Sequence, residues 1–222
     1  PNVASKESWV REYDHEVQGA TMIKPYHGIT GSAPSDAAVI WAYPHGGNKD
    51  SCFLLSHGMA PKINLTDPYL MAQFAIDEAL RSLVATGADL DHVCALDNFC
   101  WPDPLPGENN PDFSQKLAAL VRSSFGMSEA LKVFGIPLIS GKDSMKNDYR
   151  HEKIKISILP TLLITMLSKT NIANVVSSSF KESGHTVFLI GKKCNNLKHS
   201  IWEELFLAQN TVPEINLKKN FK

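Results

Sequence analysis

With 222 residues, 43% apolar content and 22 basic against 23 acidic side chains, the chain can bury a full core and carries no charge excess that calls for a polyanionic partner. No apolar run reaches bilayer length, no basic start precedes an apolar signal core, and no basic stripe interleaved with aromatics points to nucleic acid. Cys52, Cys94, Cys100 and Cys194 show neither CxxC spacing nor disulfide-scaffold density, which fits a reducing, cytoplasmic compartment. A soluble globular protein of one or two domains is expected, and a first residue that is Pro and not Met suggests a chain cut from something longer.

Taken in chain order, Ser5 is placed to cap a short helix, and Asp14, His15 and Glu16 follow as adjacent ionisable residues. Such a trio looks like a metal site, yet on a strand neighbouring residues face opposite ways, so a packed His with two solvated acids serves as well. Residues 20–30 read as strand and turn, and 31–35 as a small-residue loop leading into Asp36. Asp36 heads an apolar strand running to Trp41, and 53–55 pairs with it as a hairpin across Pro44-His-Gly-Gly-Asn48. The stretch 56–62 is expected to be a loop whose backbone amides and Lys62 ammonium meet an anion; a solvated surface lysine is the plainer alternative.

Residues 66–103 carry the strongest local signals. Asp67 can accept from first-turn amides, Pro68 has its φ preset for the first helical position, and Gly87 closes the far end. This helix is expected to bury Leu70, Phe74, Leu80, Leu83 and Val84 with Ala75 and Ala79, and to show Asp77, Glu78, Arg81 and Ser82 on another face. Residues 92–99 read as a mostly buried strand ending in Asp97 and Asn98, where an α/β sheet places its ligand groups. Residues 101–112, dense in Pro, Gly, Asn and Asp, mark a long irregular loop of the kind that is often functional. Asp112 or Ser114 then caps a second helix, expected to bury Leu117, Leu120, Val121, Met127, Ala130, Leu131 and Phe134 before Gly135 stops it.

A short strand over 136–139 is expected to deliver a turn, Ser140-Gly-Lys-Asp-Ser144. A Walker-type phosphate loop is excluded, because five residues and not four separate Gly135 from Gly141, and Asp143 follows Lys142 where Ser or Thr is required. What remains is a glycine-hinged turn with one cation, one acid and two hydroxyls, suited to a phosphorylated ligand or a metal-bound phosphate, with an ordinary polar turn as the alternative. Further on, 153–157 alternates as an edge strand that Pro160 breaks, 161–167 reads as a core strand, and 171–179 as a connection. Residues 186–191 read as one more buried strand opening a new unit. The remaining 192–222, with a short helix over 201–208, are too few for a second core, which places a domain boundary near 170.

Five stretches together resemble phosphoribosylformylglycinamidine synthase: YDHEVQG at 13–19, SDAAVI at 35–40, DPYLMAQFAIDEALRSLVATGAD at 67–89, LDNFCWPDP at 96–104, and GIPLISGKDSMKND at 135–148, continued by ISILPTLLIT. The resemblance spans roughly residues 1–195; it is to the second of two ATP-binding-type domains of the synthetase subunit, and the tail beyond matches nothing recognised. It implies an α/β (α+β) fold of the aminoimidazole ribonucleotide synthetase N-terminal type, a mixed sheet forming a half barrel with helices on the outer face. That domain would occupy 31–170, after a linker and first strand segment at 1–30 and before the incomplete start of a C-terminal-like domain at 171–222. It further implies a purine-biosynthesis ligase that converts formylglycinamide ribonucleotide, ATP and glutamine-derived ammonia to formylglycinamidine ribonucleotide, ADP and phosphate.

By the same resemblance, Asp36, Glu78 and Ser82 are the Mg2+ ligands of an auxiliary ATP/ADP site that Asp97 and Asn98 also line. Hard oxygen donors suit Mg2+, which keeps several waters and bridges to phosphates. Gly58, Lys62, Ser140, Gly141, Lys142, Asp143 and Ser144 are implied to lie near the substrate phosphate. Two departures from the family pattern stand out: Ser82 replaces the usual Asn with a shorter ligand, and Lys62 replaces a common Arg, losing the bidentate fork. No catalytic residue is assigned, since the first-half domain with the family's catalytic His has no counterpart here, and the chain alone is expected to be inactive. Its partners are expected to be a glutaminase subunit or domain and either a second copy or the first-half domain, because an uncovered sheet face is costly. The alternatives are a non-catalytic nucleotide-binding module, a truncated remnant, or a related enzyme of the aminoimidazole ribonucleotide synthetase type.

Overall fold

The computed structural model describes residues 4–12, 17–152, 154–191, 196–206 and 211–220, so the Asp14-His15-Glu16 cluster lies outside the described residues. In order, the elements are α1 (Glu7–Glu12), β1 (Thr21–Ile23), β2 (Tyr26–His27), β3 (Ala33–Pro34), β4 (Ala38–Trp41), β5 (Ser51–Gly58) and α2 (Pro68–Ala85). There follow β6 (Val93–Cys100), α3 (Phe113–Phe134), β7 (Leu138–Ser144), β8 (Asp148–His151), β9 (Ile154–Ser157), β10 (Thr161–Asn171), α4 (Ile201–Phe206) and α5 (Leu217–Asn220). The architecture is mixed α/β. Its six-stranded mixed sheet has the order β1-β4-β5-β10-β6-β7, and β2-β3 and β8-β9 form two small ribbons. The chain divides into two compact units, one of Pro1–Ser56, Leu80–Cys94 and Met166–Thr186, the other of His57–Ala79, Ala95–Thr165 and Val187–Lys222. Among the described residues, no helix is long and apolar enough to cross a membrane.

In the first unit the expected hairpin is present. β4 runs antiparallel to β5 from Ala38↔Leu55 to Trp41↔Cys52, and the Trp41 indole N–H donates to the Lys49 carbonyl at 2.7 Å, pinning the turn between them. β1 adds outside β4 with Thr21 opposite Ile40. Val39, Cys52, Leu54, Leu83 and Met166 are fully buried and form the core of this unit. Its cap signals also hold: the Ser5 hydroxyl accepts the Glu7 N–H at 3.2 Å, and Gly87 takes a φ of +96°, where a side chain would run into the Asn174 carbonyl.

Helix α2 begins as expected, with Asp67 Oδ1 accepting the Tyr69 N–H at 3.0 Å and Pro68 as its first residue. Of its expected buried face Ala75, Ala79, Leu80 and Leu83 are inside, but Met71, Ala72 and Ile76 join them while Leu70 and Phe74 are half-buried and Val84 is half exposed. The small residues are selected by close packing: at Gly58, the last residue of β5, a methyl group would overlap the Ala75 carbonyl oxygen and crowd the Ala79 amide.

Helix α3 departs from expectation for the same reason. Ser123, Gly126, Ala130, Leu131 and Phe134 are buried, whereas Leu117, Val121 and Phe125 are exposed. At Gly126 a side chain would collide with the backbone of Tyr69, so the two helices touch where α3 carries its smallest residues, and its larger apolar side chains are left outside. Gly135, at φ +67°, ends the helix with its N–H directed to the Leu131 and Lys132 carbonyls. Asp112 makes no capping bond; its carboxylate turns instead to Lys116 Nζ at 2.8 Å.

That ion pair belongs to a polar knot that the sequence did not announce. Lys116 is buried, and its ammonium also donates to Asn110 Oδ1 at 2.8 Å and Ser157 Oγ at 3.3 Å. Asn110, 2% exposed, donates to the carbonyls of Asp103 and Leu105 at 2.8 and 2.7 Å, so the loop of 101–112 is folded around one amide. Asp148 accepts the Asp103 N–H at 3.2 Å. Burial alone would raise the Asp148 pKa, but its hydrogen bonds from Ser157 and Asp103 and the charges of Lys155 and Lys116 outweigh that and hold it below the ordinary value.

Two expectations fail outright. Residues 140–144 are not a turn but the body of β7, and 187–190 do not form a buried strand: Val187, Phe188, Leu189 and Ile190 are 73% to 95% exposed. An apolar run becomes a strand only where a neighbour takes its backbone hydrogen bonds, and no described strand pairs with it. Because the knot depends on one ammonium, Lys116→Met is expected to lower unfolding stability by about 1–3 kcal/mol, read from urea denaturation. A change below about 0.5 kcal/mol would show that the knot contributes little.

Candidate functional site

The second unit brings together several of the residues singled out above. Gly58 ends β5 against α2, and one turn further along that helix Glu78 Oε2 accepts the Met59 N–H at 2.8 Å. The exposed Glu78 carboxylate is thereby held over the start of the segment that leads to Lys62. Lys62 itself lies in a 3-10 turn, Pro61–Leu65, and not in an open loop, and its ammonium is paired with the Glu204 carboxylate of α4.

β7 lies parallel to β6 at the sheet edge, with Asp97 opposite Gly141, Asn98 opposite Lys142, Phe99 opposite Asp143 and Cys100 opposite Ser144. Strand alternation therefore divides the expected set. Gly141 and Asp143 share the face of Asp97; Ser140, Lys142 and Ser144 share the face of Asn98. At Gly141 a β-carbon would push the Asp97 carboxylate aside, so glycine is what leaves that carboxylate its place. On the other face the Lys142 ammonium bonds the Ser144 hydroxyl. A phosphate can meet Ser140, Lys142 and Ser144 together, but not with Gly141 and Asp143 as a single five-residue turn would have allowed.

Asp97 is the buried acid of this region, 8% exposed. Its burial, and secondarily the negative charge of Asp143, raise its pKa above the usual carboxylate value. A carboxylate in that position is energetically poised, which is common where a ligand or cation is to be met.

The remaining expected metal ligands, Asp36 and Ser82, belong to the first unit. Asp36 is exposed at the bend before β4, and Ser82 is half-buried on α2, its carbonyl accepting the Thr86 hydroxyl at 2.9 Å. Among the described residues, no three His, Cys, Asp or Glu side chains gather as a metal-binding cluster. Taken singly, Asp36, Glu78 and Ser82 offer hard oxygens of the kind Mg2+ takes alongside water and phosphate. Sequence reasoning missed Lys116, Asn110, Asp148 and Lys155; the only signal was Asp112 standing four residues before Lys116 on a predicted helix.

The fold, a mixed α/β layer with a six-stranded sheet, is of the aminoimidazole ribonucleotide synthetase N-terminal kind. The family described as AIR synthase related protein, N-terminal domain, matches residues 34–162, and the chain belongs to it. Among curated relatives, PurL of Methanosarcina barkeri, a phosphoribosylformylglycinamidine synthase subunit, is 30% identical over 220 residues, 99% of this chain and 27% of that protein. PurL of Methanopyrus kandleri is 35% identical over 153 residues, 67% of this chain and 18% of that protein. The resemblance to this synthase family is therefore upheld, and it runs through the tail that the motifs left unmatched. Among solved structures, PurLQS from Thermotoga maritima has a TM-score of 0.60 at 22% identity, covering 79% of this chain and 25% of that one. PurL of the same organism complexed with FGAR gives 0.56 at 23% identity, over 78% of this chain and 24% of that one. This chain thus spans about a quarter of the length of the relatives it matches.

For an acid whose pKa is higher in the folded state, folding is favoured while the group is protonated, and that advantage is lost as pH rises through the folded pKa. Asp97→Asn is therefore expected to raise the thermal unfolding midpoint at neutral pH, and the gain should vanish below about pH 3.5, where both carboxyl states are protonated. An equal or lower midpoint at neutral pH would show that Asp97 is not a strained group.

Proposed function

We propose that this chain is part of an ATP-dependent ligase of purine biosynthesis, of the phosphoribosylformylglycinamidine synthase type, and that it contributes an auxiliary Mg-nucleotide site and contacts to the substrate phosphate. The observation that carries the proposal is the family match over 34–162, a span that contains Asp36, Glu78, Ser82 and the whole of β7. T. maritima PurL, complexed with ATP and with FGAR in solved structures, gives the ligand classes: a nucleoside triphosphate and formylglycinamide ribonucleotide. The ammonia donor is glutamine, delivered by a glutaminase partner, and the chain pairs with a first-half domain or a second copy. A cytoplasmic setting accords with the free Cys52, Cys94 and Cys100.

In this reading, the chain's own residues bind and orient. Asp36, Glu78 and Ser82 each offer a hard oxygen suited to Mg2+, and the Met59 N–H fixes the Glu78 carboxylate in place. When bound, the metal neutralises phosphate oxygens. Lys142, with the hydroxyls of Ser140 and Ser144 on the same strand face, receives the ribonucleotide phosphate, a role for which a point-charge ammonium is suited. Asp97 and Asp143 lie on the opposite face, where their charges do not oppose that phosphate.

Calorimetric titration of the chain with Mg-ADP tests the assignment. Asp36→Ala and Glu78→Ala are each expected to weaken binding by about tenfold or more, roughly 1.4 kcal/mol. Affinities equal to that of the unaltered chain would remove both residues from the metal site.

A further inference from the structure

The tail that follows residue 195 lies against the segment carrying Lys62, within the second unit. The start of helix α4 is fixed by two bonds: the Ser200 hydroxyl accepts the Glu203 N–H at 3.2 Å, and the Glu203 carboxylate accepts the N–H of His199, the residue before that cap, at 2.6 Å. This anchored turn presents Glu204 to the Lys62 ammonium and places His199 Nε2 within hydrogen-bond distance, 2.7 Å, of Thr66 Oγ1. A second attachment lies further along: Asn220 Nδ2 donates to Asp77 Oδ1 at 2.9 Å, and Leu217 at the head of α5 is buried.

We propose that the tail segments 196–206 and 211–220 act as an internal strap, with the Glu204 carboxylate occupying the Lys62 ammonium in place of an anionic ligand's phosphate. The inference rests on the reading of Lys62 as an anion-binding group and adds its regulation. A carboxylate and a phosphate oxygen compete for the same donors, and a competitor tethered to the chain acts at a high effective concentration. The Lys62 and Glu204 side chains remain 38% and 55% exposed, so the pair is weak and a phosphate dianion can displace it. The strap thus lowers affinity modestly without closing the site. His199, Leu217 and Asn220 hold the tail in register whether or not Glu204 is displaced.

The test is a phosphorus NMR titration of inorganic phosphate into the full chain, Glu204→Gln, Lys62→Met and the double variant. Glu204→Gln keeps the helix and the Ser200 and Glu203 bonds at its start, and is expected to bind phosphate roughly two- to fivefold more tightly than the unaltered chain. Lys62→Met is expected to weaken binding and to abolish the gain in the double variant. If Lys62→Met weakens binding but Glu204→Gln equals the unaltered chain, the strap is overturned and the anion site stands. Should Lys62→Met change nothing in either background, or no variant bind phosphate, the reading of Lys62 falls and the strap with it.

Discussion

The close approach of β5 to α2 at Gly58 is the constraint on which the rest of the structure depends. Strand and helix touch there backbone to backbone, which is why α2 lines its inner face with Ala72, Ala75 and Ala79 and why Glu78, adjacent to that contact, meets the Met59 amide. The same device recurs where α3 meets α2 at Gly126 and where β7 meets β6 at Gly141. Gly58 and Gly126 bring backbone against backbone, whereas Gly141 leaves room for the Asp97 carboxylate. Packing and site are therefore linked at two of these contacts, where Glu78 lies beside Gly58 and Asp97 beside Gly141.

The long loop of 101–112 shows how an irregular segment is made rigid without secondary structure. Asn110 collects two loop carbonyls, Lys116 and Lys155 converge on its Oδ1, and the Trp101 indole N–H donates to the Lys116 carbonyl at 2.9 Å. A buried ammonium tolerates such a position only when its donors are satisfied, and here three oxygens do so. The loop follows directly on β6, so the knot also steadies the strand end that carries Asp97 and Asn98.

Much of the fold was legible in the sequence wherever a local rule has a single physical solution. Asp67-Pro68 and Gly135 marked helix ends because orphan amides and carbonyls admit few partners, and the β4–β5 hairpin followed from apolar runs around a Gly-Gly turn. Helix faces were less legible. Leu117 and Val121 obey the apolar period but lie outside, since tight helix contacts prefer the small residues that a hydrophobicity pattern undervalues. Gly141 was read as a hinge when its role is steric, and the apparent turn Ser140–Ser144 is a strand that sends its side chains to two faces. The run Val187–Ile190 failed for the converse reason, because no local pattern supplies a missing neighbour. Contacts such as Lys62 with Glu204 join residues far apart in sequence, and nothing near either one foretells them.

The proposed function turns on one carboxylate, Glu78, one oxygen of which accepts the Met59 N–H while the other is proposed to meet a divalent cation. Electron paramagnetic resonance of Mn2+ added with ADP to the full chain, compared with Glu78→Gln, addresses it most directly, since Gln preserves the size of the side chain and its bond from Met59. A bound-Mn2+ signal in the unaltered chain that weakens on the order of tenfold or more in the variant is the predicted result. Equal Mn2+ binding in the two proteins would contradict it.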